Sequence, residues 1–459
     1  MKRTSQIGLP FYFLKIIHSG YCVQVIYFSY LCMTSNGSPI HDEGRFISIE
    51  FFLYMRKLLF FILLGVLLSS APIRTQAQKK ELAQAKEWVK KLQNLDKAQK
   101  SMEKLLEDSA NRNNVKIYLT LFESLKAQYE LGNEKLYLKQ KYDTAMLFSH
   151  ALQMFRVVER LDSLDMQPDS KGRVKLKYRH DHSHYLNSIR PNLFNGGMFY
   201  IRKQGFKEAY KYFEAYIDCA RQPLFSSYHY DENSSKMAQA SYWAVYCGYK
   251  MQNPTATLRH TYLALKDTAH YCLMLQYLAD TYRMEQDTTR YLSTLREGFK
   301  KYPKFPYFFP RLLNFYQKNK RWDDALALTD TAMAIDSASH VFIFARSTVL
   351  LNTGKYAESL SLCDTLLARG DTLSDIYLNA GLAWFNQAVE FDKNIQTSKK
   401  MRNKILACYK SALPYLEAYR KKRPEDESGW LLPLYTIYLN LNMGQEFDEI
   451  DQIIRKQRK

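Results

Sequence analysis

From Cys272 onward one spacing governs this chain: comparable side chains recur every 34 residues. Ala279 and Tyr282, Leu313 and Tyr316, Ser347 and Leu350, and Gly381 and Trp384 follow one another at that interval. A second series keeps the same phase through three units, as Tyr291/Leu295/Gly298, Ala325/Thr329/Ala332 and Ser359/Cys363/Leu366. A period of this length, with small residues at fixed places, describes a helical hairpin that must stack on its neighbours to cover its apolar face. The small residues fall where two helices cross closely, and aromatics fill the space beside them. Most of the 35 tyrosines and 26 phenylalanines are accounted for in this way.

Glycine and proline support the reading. There are 17 and 13 of them in 459 residues, and they fall mostly between helical patterns, as at Pro303, Pro306, Pro310, Gly354, Gly370 and Pro424. No alternating β-branched run is bounded by turn residues, so a sheet is not expected.

The best local pattern runs from Asn319 to Asp336, with Trp322 at the inter-helix turn and Ala325 and Ala332 in the second helix. Tyr356 repeats Trp322 34 residues later. Upstream, Gly197, Tyr200, Phe206, Ala209, Phe213 and Tyr216 fit one unit starting near Arg190, and Ala244, Cys247 and Ala256 fit a weaker one. The last units hold Gly381/Trp384 with Ala412/Leu416/Tyr419/Pro424, then Tyr438/Phe447. On these residues the stretch from Arg190 to Arg455 resembles the tetratricopeptide repeat family. The resemblance implies an all-α, right-handed superhelical solenoid of antiparallel helix pairs.

Two stretches depart from the pattern, Leu224–Lys236 and the region of Phe391–Met401. Insertions in a solenoid go to surface loops, either a binding face or neutral loops that cost little. Residues 190–459 therefore read as the repeat array, with insertions near 224–236 and 391–401. Residues 78–189 read as a helical region of degenerate repeats without a legible register, apolar at Tyr118–Leu125 and Ala145–Val158. Gln78 to Leu106 reads as an exposed charged helix.

Residues 55–77 have the build of a secretory leader: Arg56 and Lys57, an apolar core from Leu58 to Leu68, and Thr75-Gln76-Ala77 as a small-residue cleavage site. The apolar core is too short for a permanent span, and no cysteine stands at the cleavage point to carry a lipid. Cleavage after Ala77 would give an exported, periplasmic chain starting at Gln78. Residues 1–54 precede that leader as an upstream extension, which fits a start site assigned too early, since a leader works from a chain terminus. The competing reading makes Leu9–Met33 a membrane segment, interrupted by Lys15 and His18. The leader and the tyrosine-rich array together resemble exported repeat proteins of Bacteroidetes-type bacteria.

From Gln78 onward the chain carries 58 basic and 43 acidic residues, a net +15. Such a chain favours anionic partners. For an exported protein that means envelope surfaces or polymers rather than nucleic acid, and the dispersed lysines also fit a solvated face. Five cysteines with no CxxC pair indicate neither a disulfide framework nor a zinc site. Cys247 and Cys363 fall at core positions. His180, His182 and His184 alternate around Asp181. On an extended loop all three could reach one metal, on a helix only His180 and His184, and in front of the first repeat a polar exposed turn is expected. No second ligand set accompanies them, so no metal and no cofactor is expected. Nucleophile elbows, phosphate loops and His-Glu-x-x-His helices are absent, and a non-enzymatic scaffold is the expectation.

Stacked hairpins place their first helices along one concave face. The resemblance projects Arg202, Tyr249, Gln276, Asp280, Arg283, Asn314, Gln317, Lys318, Asn352 and Asn386 onto it, where they could hold an extended protein or peptide segment. The lysine and asparagine set with which some family members hold a terminal carboxylate is not matched, because Phe194, Gln276, Pro310 and Phe344 stand in the lysine place. The expected function is an exported scaffold that binds a protein or peptide in the envelope. The alternative is a module that binds an anionic polymer or glycan through its basic surface.

Overall fold

The structure is a computed structural model that describes residues 76–393 and 398–457. The readings placed on residues 1–54 and on the leader up to residue 75 lie outside the described residues. Gln78–Lys459 is one compact unit. Its described residues are helical, with no strand among them.

Helices pair along the chain. The first pairs are α1 (described over residues 76–90) with α2 (Leu95–Glu107), and α3 (Val115–Tyr137) with α4 (Thr144–Asp165). Next, α5 (Arg179–Ile189) runs into α6 (Pro191–Arg202), which pairs with α7 (Phe206–Asp218). Then α8 (Ser235–Lys250) packs on two short helices, α9 (Pro254–Arg259) and α10 (Thr261–Ala264). The regular units follow: α11 (Tyr271–Met284) with α12 (Thr288–Lys301), α13 (Phe308–Lys318) with α14 (Trp322–Ile335), and α15 (His340–Asn352) with α16 (Tyr356–Ala368). The last two pairs are α17 (Ser374–Asp392) with α18 (Lys399–Lys422), and α19 (Glu427–Asn440) with α20 (Gly444–Gln457).

One turn joins the members of eight of these pairs. The amides of Gln93, Gln140, Gly205, Asn253, Asp287, Arg321, Lys355 and Met443 each donate to the carbonyl five residues back, at 2.8 to 3.0 Å. The residue before each donor has a left-handed backbone: Leu92, Lys139, Gln204, Gln252, Gln286, Lys320, Gly354 and Asn442. That combination closes a helix by satisfying its last carbonyls. Gln286, Lys320 and Gly354 stand 34 residues apart, so the sequence period is a turn period as well. The same turn at Leu92 and Lys139 extends the paired organisation into residues 78–189, where no sequence register was legible.

Small residues sit where expected. A side chain on Gly197 would meet the Phe213 ring, and one on Gly381 would meet Leu416. Ser359 Oγ donates to the Ser347 carbonyl across the α15–α16 crossing at 2.8 Å. Leu295, Thr329 and Cys363, one period apart, are fully buried. First helices of successive units also touch directly, α8 with α11, α15 with α17, and α17 with α19. They form one layer.

Three local expectations are corrected. Residues 78–106 are not one exposed helix but two, broken at the Leu92 turn, with Ala85, Leu95, Ala98, Met102 and Leu105 buried. The first insertion is no free loop: Pro223–Tyr228 is a 3-10 turn whose Leu224 and Phe225 enter the core. Arg190 clamps it, its guanidinium lying 3.9 Å from the Tyr216 ring centre and 3.8 Å from that of Tyr230. Of the second insertion only the flanks are described, where α17 runs for 19 residues to Asp392 and α18 for 24 from Lys399; residues 394–397 lie outside the described residues. Finally, the histidine segment is helix α5 rather than a turn. Arg179 fixes its start through a two-point pair with Asp162, Nε–Oδ1 and Nη2–Oδ2 both 2.8 Å.

Candidate binding face on the first helices

Four of the projected residues meet at the seam between α8 and α11. The Tyr249 ring stacks on Tyr277 at 4.4 Å, and its hydroxyl donates to Asp280 Oδ2 at 3.1 Å. The Gln276 amide lies against that same hydroxyl. Asp280 is buried to 9 % exposure, and its Oδ1 faces Arg283 Nη2 at 3.4 Å. A buried carboxylate needs such partners, because leaving it unpaired would cost several kcal/mol.

The next unit completes the cluster with residues that the projection did not include. Tyr307, just before α13, is buried, with its hydroxyl turned towards the Asp280 carboxylate. Burial raises its pKa, and the Asp280 charge raises it further. The Arg311 guanidinium lies 3.6 Å from the Tyr307 ring centre and its Nη1 donates to the Tyr307 carbonyl at 3.2 Å. Burial also raises the Tyr291 hydroxyl, while Arg283 and Arg311 both oppose the shift. One carboxylate thus stands among two guanidiniums and the rings of Tyr249, Tyr277, Tyr291 and Tyr307. Arg311 makes no ion pair among the described residues, so the cluster carries an excess positive charge. Arg283, with a side chain 63 % exposed, presents part of that charge to solvent.

Arg311 was hidden by the register. In the 34-residue register the place of Gln276 is held by Pro310, inside α13, and Arg311 answers to the buried Tyr277. An arginine directly after the projected position was the available signal.

The remaining projected residues are spread more widely. Asn314 and Lys318 are exposed on α13 and Gln317 is half-buried there. Arg202 is exposed at the end of α6, and Asn386 is half-buried in α17. The Asn352 amide donates to its own helix, at the Thr348 carbonyl, 2.8 Å away. These belong to other units and are not gathered at Asp280.

The histidines do not converge. His180 and His184 are exposed, whereas His182 points inward and packs edge-on against Phe122 at 4.6 Å. Burial lowers its pKa, so it is held neutral as a core ring. Among the described residues no group of three His, Cys, Asp or Glu is placed to hold a metal. Burial pushes the Cys247 thiol up to about 12 and the Cys363 thiol up to about 11, so both are inert core groups. A separate apolar cavity of ≈ 320 Å³ lies between the Pro303–Pro310 segment and the start of α15, with Phe305, Phe309, Val341 and Phe342 in its wall. It contains none of the projected residues.

No family model and no curated protein matches the chain. Among solved structures, the crystal structure of the P58(IPK) TPR domain is similar at 12% identity and TM-score 0.23, covering 83% of this chain and 99% of that one. Yeast Tom70 is similar at 10% identity and TM-score 0.23, covering 84% and 97%. A monomeric IFIT1 mutant with Gppp-AAAA is similar at 14% identity and TM-score 0.26, covering 77% and 72%. The fold class rests on the chain's own geometry: paired antiparallel helices, one repeated closing turn and small residues at the crossings make a tetratricopeptide-like solenoid. Among the described residues no helix is long and apolar enough to cross a membrane.

Proposed function

We propose that the protein is a non-enzymatic, exported scaffold that holds an extended protein or peptide segment against its layer of first helices, centred on Asp280. The observation that carries this is the convergence of Tyr249, Gln276, Asp280 and Arg283, from two successive units, with Arg311 from a third. The half-buried rings of Tyr249 and Tyr291 offer contact area at low entropy cost, the half-buried Gln276 can pair with a peptide backbone, and the two arginines favour an acidic partner residue. Export is supported by the leader-like sequence of residues 55–77, with cleavage after Ala77 and a periplasmic location. The test is retrieval of partners from envelope extract by the Gln78–Lys459 unit at low and high salt. A discrete protein that survives high salt and is lost from Arg283→Glu/Lys318→Glu supports the reading. Material indifferent to that variant refutes it.

A further inference from the structure

In successive antiparallel helices the turns within pairs gather on one edge. Contacts establish this for the first four pairs. The amide of Gln128, late in α3, reaches Gln99, early in α2, at 2.9 Å, and Tyr142 lies against Gly132. Phe148, early in α4, meets Phe199, late in α6, at 5.6 Å. Phe206, at the start of α7, meets Tyr246, late in α8, at 5.7 Å. The turns at residues 91–94, 138–143, 203–205 and 251–253 therefore share an edge.

That edge is both basic and apolar. Lys90, Lys139, Lys141, Lys203, Lys207 and Lys250 are exposed there, and none forms an ion pair among the described residues. Of the nearby acids, Glu87 pairs with Lys91, Glu208 pairs with Lys211 and Asp143 caps α4, while Asp96 and Glu134 are exposed without an ion pair among the described residues and are outnumbered by the lysines. Beside the lysines stand large apolar side chains in water: Tyr137 at 85% exposure, Leu92 at 58%, Leu138 at 54% and Met146 at 46%. Leu92 also holds the left-handed conformation that other turns give to Gly, Gln, Lys or Asn. An exposed leucine kept at that backbone cost points to a use for it. At the α11–α12 and α13–α14 turns Asp287 and Asp324 pair with Arg290 and Arg321, and the exposed Glu285 and Asp323 stand beside Lys318 and Lys320, so the charge there is more mixed.

We propose that this edge, led by the tip of the α3–α4 hairpin, docks on the surface of an anionic phospholipid bilayer. The lysines meet the headgroup phosphates, each near-surface lysine strengthening binding roughly fivefold. Tyr137, Leu138 and Leu92 enter the headgroup–acyl boundary, as apolar groups flanked by lysines do at membrane interfaces. The apolar tip decides between partners, since an anionic polymer would pair with the lysines and leave it in water.

The test is co-sedimentation of the Gln78–Lys459 unit, which carries the whole described core, with phosphatidylcholine vesicles with and without phosphatidylglycerol. Binding is expected only with the anionic lipid. It should fall about tenfold or more both for Lys139→Glu/Lys141→Glu and for Tyr137→Ser/Leu138→Ser. Circular dichroism checks that these exposed substitutions leave the fold intact. No binding, equal binding to neutral vesicles, or retention by both variants overturns the proposal. Loss in the lysine variant alone overturns the insertion of Tyr137 and Leu138 and leaves a purely electrostatic surface.

Discussion

Replacing Gly248 by alanine sets two effects against each other, and the sign of the result decides between them. Gly248 lies inside α8, where alanine is favoured by about 1 kcal/mol. On propensity alone the variant gains stability. The structure requires a loss: the new Cβ would lie 2.5 Å from the Thr257 amide nitrogen and 2.7 Å from the Ala256 carbonyl carbon, where ordinary contacts begin near 3.4 Å. The obstacle is backbone of α9 and cannot rotate aside, so α8 and α9 must part. Overpacking of this kind costs about 1–3 kcal/mol, with the upper end apt for a backbone clash, leaving a net loss of about 1–2 kcal/mol. The neighbour Tyr249 moves with α8, so its bond to Asp280 loosens as well. Urea denaturation would measure the loss, and amide exchange should localise it to residues 235–264, because a repeat array responds unit by unit. A variant as stable as the parent, or more so, would refute the close crossing and with it the placement of Tyr249.

Glu159 gives a pH prediction: burial first, then the nearby Asp218 charge, push its pKa from 4.5 to about 7, with Arg156 opposing. Because the folded state favours the protonated form, this contribution to stability is full below pH 4.5 and is lost as pH rises through about 7; Glu159→Gln should flatten that slope and stabilise the protein above neutrality by up to ~2 kcal/mol, read from melting curves across pH. Asp162→Ala strands the Arg179 guanidinium and should cost about 3–5 kcal/mol in denaturant titration, with α5 losing exchange protection first. At the shared turn, Gly354→Ala forces a side chain into φ +76° and should cost about 1 kcal/mol, whereas Gln286→Gly at φ +60° should gain a similar amount.

The regular half of the fold was legible because small residues recur where paired helices cross. Ala279, Ser347 and Gly381 hold that place, with Leu313 the exception in α13, so their spacing reports the packing. The N-terminal pairs are held by the same turn, but it is made by Leu92 and Lys139. Left-handed geometry at such residues has no compositional signature, whereas Gly354 announces it. The insertion read as a surface loop, yet Leu224 and Phe225 enter the core and Arg190, stacked on Tyr216 and Tyr230, holds it there. At the candidate face, the register projected Tyr249, Gln276, Asp280 and Arg283, which the structure brings together. Arg311 and Tyr307 were not projected, since Arg311 holds the place of the buried Tyr277 and Tyr307 lies before α13 begins.

The most direct test of the account is a photo-reactive amino acid placed at Gln276, beside Asp280 on the first-helix layer, compared with one at Ser293, exposed on the second-helix side in α12. The account predicts that one protein partner cross-links from position 276, through an extended segment mapped by mass spectrometry, and not from position 293. Equal cross-linking from both positions, or a partner captured only from 293, would contradict it.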